Sequence, residues 1–189
     1  MDPFQKNNKF DAKQIIIKKV DDGNNKYREN VSMYDLFVEM GVKAEEISEH
    51  ENDILRVGFK REQQMVIKGF QVKIFLASFG HLCGYVKKYV WDNDLIDMDK
   101  YEQLTGSNGE LSLEEVEDIY SPHGGYTHPN GFDCHHCDDI ALFDIILNEK
   151  MGIPHFSEER HDDSSFKSFK FVLNELNNIV DSLIEHLKK

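Results

Sequence analysis

An α+β fold, with a mainly antiparallel sheet, covering helices and a long C-terminal helix, is the architecture this sequence predicts, on three observations. Residues 13–20, 63–77 and 81–90 carry alternating or β-branched apolar side chains, the pattern of strands with a buried face. Residues 33–40, 44–56, 140–151 and 164–189 instead place apolar side chains at steps of three and four, the helical period. The two kinds of segment are interspersed without regular strand–helix alternation and without a glycine-rich phosphate loop, which favours an antiparallel sheet over a doubly wound one.

The elements follow in order. Residues 1–12 are polar and contain Pro3 and Asn7-Asn8, and are read as a mobile arm; 13–163 are read as a single α+β domain, and 164–189 as a helix packed on that domain or paired in a homodimer. The strand at 13–20 runs into the turn residues Asp21 to Asn25. Ser32 is a good N-cap for a helix closed by Gly41, and a second helix over 44–56 sets Ile47, Ile54 and Leu55 against an acidic side. Gly69 divides 63–77 into two strands or one bent strand, and Ser78-Phe79-Gly80 turns the chain into the strand at 81–90. The acidic stretch 91–99 does not have calcium-loop spacing, despite Asp92, Asp94, Asp97 and Asp99, and reads as a solvated loop. Ser112 with Glu115 is a capping box that predicts a short helix to Tyr120. The helix at 140–151 is stopped by Gly152 and Pro154. Ser164 or Ser165 then caps the terminal helix, whose seam is Phe166, Phe169, Leu173, Leu176, Val180, Leu183 and Leu187.

The chemistry-bearing side chains are concentrated between His123 and Asp139, in HGGYTHPNGFDCHHCDD, where four of the nine histidines and two of the three cysteines fall. These residue types bind metals or move protons near neutral pH. Asn130-Gly131 is the pair preferred by tight hairpin turns, so 125–127 and 132–136 are read as paired strands, with Cys134 and His136 on one face and Asp133 and His135 on the other. His123 and Thr127 then lie on the partner strand, within reach of the same face. Asp138-Asp139 opens the following helix. His81 and Cys83 share a face of the preceding strand and form a secondary set.

Three motifs recur in order: Gly80-His81-Leu82-Cys83-Gly84-Tyr85-Val86, then His123-Gly124-Gly125-Tyr126-Thr127, then Gly131-Phe132-Asp133-Cys134-His135-His136-Cys137-Asp138-Asp139. This order resembles a group of small uncharacterised bacteriophage proteins that share CGYV, HGG-x-T and GFDC-x-H-x-x-D. The resemblance spans residues 80–139 and, weakly, the terminal helix. It implies His123, Thr127, Asp133, Cys134, His136 and Asp139 as the group's recurrent polar residues; Thr127, Tyr85 and His81 are read as binding residues. Only His128-Pro129-Asn130 separates the second and third motifs here, where the group has a longer loop.

With 22 basic against 35 acidic residues, the net charge is −13. A conventional basic nucleic-acid-binding face is not expected from that balance. No apolar run reaches the roughly 20 residues of a membrane span, the N-terminal residues lack a signal-peptide core, and an odd number of cysteines suits free thiols; a cytoplasmic protein of the bacterial host cell is expected, with no membrane partner. Two functions follow as expectations. One is a phage-encoded acidic inhibitor of the host or its defence machinery, anti-CRISPR-like, whose charge imitates nucleic acid and occupies a site on a protein that binds it. The other is a metal-dependent phosphodiester or nucleotide hydrolase, with His123, Asp133, His136 and Asp139 as catalytic residues and His123, Cys134, His136 and Asp139 as ligands. Zinc suits the Cys134-containing set, magnesium or manganese an oxygen-rich one. A structural zinc site would draw on Cys134, Cys137, His123 and His136.

Overall fold

A computed structural model describes residues 12–14, 16–21, 26–39, 42–57, 62–77, 80–91, 95–107, 109–136, 139 and 166–188. Its architecture is α+β, with two antiparallel sheets. Strands β1 (Ile16–Asp21) and β2 (Lys26–Ser32) pair as a hairpin with an irregularity after Lys19. Strands β3 (Glu62–Ile67), β4 (Phe70–Leu76), β5 (Leu82–Tyr89) and β6 (Gly131–Asp133) form a four-stranded sheet in that order. Helices α1 (Met33–Glu39), α2 (Ala44–Val57), α3 (Met98–Gln103) and α4 (Phe169–Leu187) complete the described elements.

Strict alternation along β4 buries Phe70, Val72, Ile74 and Leu76 on one face and leaves Gln71, Lys73 and Phe75 on the other. Helix α4 covers the buried face. Its stripe of Phe169, Val172, Leu176, Ile179, Val180, Leu183 and Leu187 is buried and packs against β5 and β4. Each buried leucine there contributes about 2–5 kcal/mol relative to alanine. The wider apolar face, with Val172 and Ile179 inside and Leu173 only half-buried, suits a sheet better than a two-helix seam. The stripe proposed as a homodimer seam is therefore covered by the chain's own sheet.

Both ends of α4 are tied down. Ser168 caps it by accepting from the Phe171 N–H at 3.2 Å, and buried Asp53 of α2 accepts from the Phe169 N–H at 2.6 Å. Just ahead of the helix, Phe166 meets Phe37 edge-on at 5.0 Å and stacks on His50 at 4.5 Å. At the far end the Asp97 N–H donates to the Leu187 carbonyl at 2.8 Å.

Several elements differ from the sequence reading. Ala12, placed in a mobile arm, is buried; its N–H donates to Glu51 Oε1 at 2.6 Å and its carbonyl accepts from Tyr34. Asp97 and Asp99 are not a bare loop, because Asp97 caps α3 through the N–H groups of Asp99 and Lys100. The capping-box helix after Ser112 does not form. The chain instead buries alternate Leu111 and Leu113, pairs Thr105 with Leu111, and continues through separate turns at Val116 and Ile119. Ser168, rather than Ser164 or Ser165, caps the terminal helix. Gly41, Ser78, Phe79, the helix over 140–151 and the polar stretch 155–163 lie outside the described residues.

Candidate metal centre

The site begins with parity on β6. Gly131, Phe132 and Asp133 pair with Tyr85, Gly84 and Cys83 of β5, and Phe132 is fully buried beneath α4. Alternation then sends Cys134 inward, where it is 2% exposed and its N–H extends the ladder to the Leu82 carbonyl at 3.1 Å. It sends Asp133 and His135 outward; His135 stacks on His81 with centroids 4.7 Å apart. His136 lies beyond the strand, in a tight turn whose carbonyl accepts from the Asp139 N–H at 2.9 Å.

The hairpin expected between 125–127 and 132–136 is replaced by this β5–β6 pairing. Residues 125–127 form no strand; the chain reverses in a turn, with Thr127 and His128 N–H groups both donating to the Gly131 carbonyl at 3.1 Å. Neither Asn130 nor Gly131 has positive φ; the pair with positive φ that links two described strands is Lys68-Gly69, between β3 and β4.

His123 reaches the site from a turn over 122–125, closed by the Gly125 N–H on the Pro122 carbonyl at 2.8 Å. Glu175, a buried carboxylate within the apolar stripe of α4, accepts from the His123 N–H at 2.7 Å and from the Tyr120 hydroxyl at 3.0 Å. The turn is thus fastened to the helix. Gly124 has φ +69°, and a Cβ there would lie 1.8 Å from His136 Nε2. Only glycine allows the two histidines to approach at this point.

The result is a compact cluster of two imidazoles and one carboxylate. His123 Nε2 sits 3.1 Å from both oxygens of Asp139, and the two rings meet edge-on with centroids 5.3 Å apart. The His136 N–H donates to Asp139 Oδ2 at 3.0 Å. Phe171 closes one side against His123 at 5.4 Å. Lys167 Nζ lies 3.4 Å from Asp139 Oδ1. The Asp139 side chain is 1% exposed, whereas those of His123 and His136 are 30% and 29% exposed. The carboxylate is therefore a buried base plate with two rings opening to solvent.

One ligand atom from each of His123, His136 and Asp139 lies within 4.8 Å of the others. Ligand atoms about 2.0–2.1 Å from a tetrahedral ion are roughly 3.3 Å apart; the 3.1 Å His123–Asp139 contact is close to that value as well as to a hydrogen bond, and all three donors fall within 4.8 Å. Two nitrogens and one carboxylate suit zinc or another nitrogen-tolerant divalent ion better than magnesium.

The other expected residues are placed differently. Asp133 Oδ1 is 3.9 Å from His136 Nε2, at the rim. Cys134 does not join the cluster: it turns into the core, and burial, reinforced by Asp139, pushes its thiol well above the usual range. Cys83, also buried, is pushed up to about 12, first by burial and then by Asp133. Neither thiol is among the three donors that converge. Thr127 is exposed on its turn. Tyr85 belongs to the open sheet face, with its phenol pushed up to about 12 chiefly by burial, and His81 to the stack with His135. Cys137 lies outside the described residues.

Lys167, Phe171 and Glu175 were not anticipated. Glu175 alone had a sequence signal, a charge inside the apolar stripe between Val172 and Ile179. No family profile, curated protein or solved structure matches this chain.

Proposed function

We propose that the protein is a metal-dependent hydrolase of phosphodiester or nucleotide substrates, with His123, His136 and Asp139 as ligands. The observation that carries this reading is the convergence of those three donors, within 4.8 Å, on one buried carboxylate beneath two part-exposed imidazoles. Three protein ligands leave coordination positions for water and substrate. A divalent ion bound there would polarise a phosphoryl oxygen and lower the pKa of water. A divalent ion bound there would supply the positive charge that attracts an anionic substrate, with Lys167 3.4 Å from Asp139 Oδ1 and the carboxylates of Asp133 and Glu175 set against it.

The chain's own residues have distinct tasks. Asp139 also holds the His136 backbone N–H through Oδ2. Glu175 holds the His123 turn through its N–H. Asp133, at the rim 3.9 Å from His136 Nε2, would take the proton of an attacking water. The test is metal analysis of protein purified without chelator or affinity histidines, followed by assays on DNA, RNA and cyclic nucleotides with zinc, manganese or magnesium. Stoichiometric metal and turnover, both lost in His136→Ala and Asp139→Asn, support the reading. A wild-type protein that binds no ion, or variants that bind it equally well, overturn it.

A second reading is favoured by charge. Glu45 and Glu49 project from α2 into solvent on a chain of net charge −13, as suits the phage-encoded inhibitor of host defence implied by the motif resemblance. Such a decoy relies on distributed charge, so neutralising Glu45, Glu46 and Glu49 should weaken partner binding while His136→Ala leaves it unchanged.

A further inference from the structure

The outward face of the four-stranded sheet departs from the acidic character of the rest of the chain. Register aligns Gln64 of β3, Lys73 of β4, Tyr85 of β5 and Gly131 of β6 in one row across it. A bulge adds to the cations. Gln71 opposes Lys88 while Val72 opposes Val86, so Lys87 is an extra residue, and Lys87 and Lys88 both line a cleft of about 260 Å³ with Gln64, Gln71 and Lys73.

An aromatic platform adjoins that cleft. The Tyr85 ring lies 5.5 Å from Phe75 and 5.4 Å from His128, which stacks on it at 30°. Lys73 Nζ is 5.4 Å and Lys87 Nζ 5.5 Å from its centroid. A Cβ on Gly131 would sit 2.6 Å from Tyr85 Cδ1, so this glycine lets the ring lie against the neighbouring strand. Among the acids on this face, Glu62 is 3.9 Å from Lys73 and Glu110 3.6 Å from Lys87, separations at which exposed pairs hold cations weakly, while Asp133, at the β6 edge, lies 3.9 Å from His136 Nε2. Lys88 makes no ion pair among the described residues.

We propose that this face binds single-stranded nucleic acid, with a base stacked on Tyr85, phosphates along Lys73, Lys87 and Lys88, and the Gln64 and Gln71 amides facing base edges. Aromatic rings flanked by cations suit unpaired bases, whose faces are free, and not a duplex, whose bases already stack on each other. An acidic peptide would match the lysines but not the ring. Binding here does not depend on a metal. In combination with the proposed hydrolase, it names the substrate class: the next row of the same face ends at Asp133, paired with Cys83 and 3.9 Å from His136 Nε2, so a strand crossing the sheet is delivered to the cluster.

The experiment is fluorescence anisotropy in chelator, with labelled oligothymidylate and oligouridylate of about 12 nucleotides, a duplex, and a polyglutamate peptide as charge control. Wild type should prefer the single strands. Tyr85→Leu should weaken binding by about tenfold or more, and neutralising Lys73, Lys87 and Lys88 to Gln should lower the log–log salt slope by about 2. Because Tyr85 is partly packed, the exposed Lys88→Gln variant, with circular dichroism as a folding check, carries the charge test independently. Binding measured in chelator needs no ion, so the anisotropy result separates failure of this inference from failure of the metal reading. Unchanged affinity in the tyrosine and lysine variants, or equal binding of polyglutamate, overturns the proposal.

Discussion

Replacing Gly124 by alanine tests the cluster most directly, because the sequence supplies its own control one residue away. Gly124 has φ +69° and Gly125 φ +83°, so an alanine at either position adopts a left-handed conformation costing about 1–2 kcal/mol. The surroundings differ. A Cβ on Gly124 would stand 1.8, 2.2 and 2.3 Å from three atoms of the His136 ring, whereas one on Gly125 meets nothing within 4 Å. Since carbon contacts need about 3.5 Å, the His136 ring must retreat by more than about 1.5 Å and give up the 3.1 Å contact of its Nε2 with the Asp133 carbonyl. Gly124→Ala should lose about 2–3 kcal/mol in all, a fall in melting temperature of about 4–12 °C, and at least about 100-fold in metal affinity. Gly125→Ala should show only the backbone cost and wild-type affinity. Thermal unfolding and metal titration of both variants, and of Gly124→Ala with His136→Ala, provide the assay. The double variant should be less destabilised than the sum of its singles, since removing the ring removes the clash. Equal metal affinity in the two alanine variants would refute the geometry on which the site rests.

Two further outcomes follow from buried polar groups. His50 is 2% exposed, and burial lowers its pKa from 6.5 to about 4, with the Gly80 backbone opposing only in part. Its unfolded form takes up a proton first as pH falls, so its contribution is complete above about pH 6.5 and is lost progressively toward pH 4, by up to about 3 kcal/mol; urea unfolding across that window should be visibly flatter for His50→Phe, and parallel slopes would count against this account. Glu175→Ala leaves the His123 N–H and Tyr120 hydroxyl without their acceptor, so stability should drop by about 2–3 kcal/mol and metal affinity by about 10–100-fold; an unchanged affinity by calorimetric titration would mean that the His123 turn is held by something else.

The fold was legible where local pattern and tertiary packing agree. The alternation in β4 and the apolar stripe of α4 each bury one face, so their periods survive in the structure. Strand β2 has no such signature: Lys26-Tyr27-Arg28-Glu29-Asn30-Val31-Ser32 lacks clean alternation, and its pairing with β1 is a tertiary outcome. The segment after Leu111 went the other way. Its capping box is genuine in sequence, yet the Ser112 N–H donates to the Leu104 carbonyl and the Leu113 N–H to the Pro129 carbonyl. Those bonds, with Leu111 and Leu113 both buried, hold the backbone extended where a helix would expose one leucine.

The site was legible in identity and misread in orientation. Clustering of His123, His136 and Asp139 within a short interval marked them, but the Asn130-Gly131 pair suggested the wrong partner strand. Parity held the correction all along: a strand that buries Phe132 must bury Cys134, so the thiol belongs to the core and His136 must escape the strand to reach solvent. The supporting groups had no comparable local sign. Lys167, Phe171 and Glu175 follow the histidines by about thirty residues or more; Phe171 and Glu175 arrive on α4 and Lys167 just ahead of its Ser168 cap, and the seat of that helix on β5 is set by apolar contacts. Glu175 is the instructive case, since a carboxylate in the middle of a buried stripe is costly unless it is hydrogen-bonded. Its two acceptor contacts, with the Tyr120 hydroxyl and the His123 N–H, account for a charge that the apolar period alone does not. The helix that covers the sheet therefore also fixes the turn carrying the first histidine, and the packing of the core and the shape of the cluster are linked through one side chain.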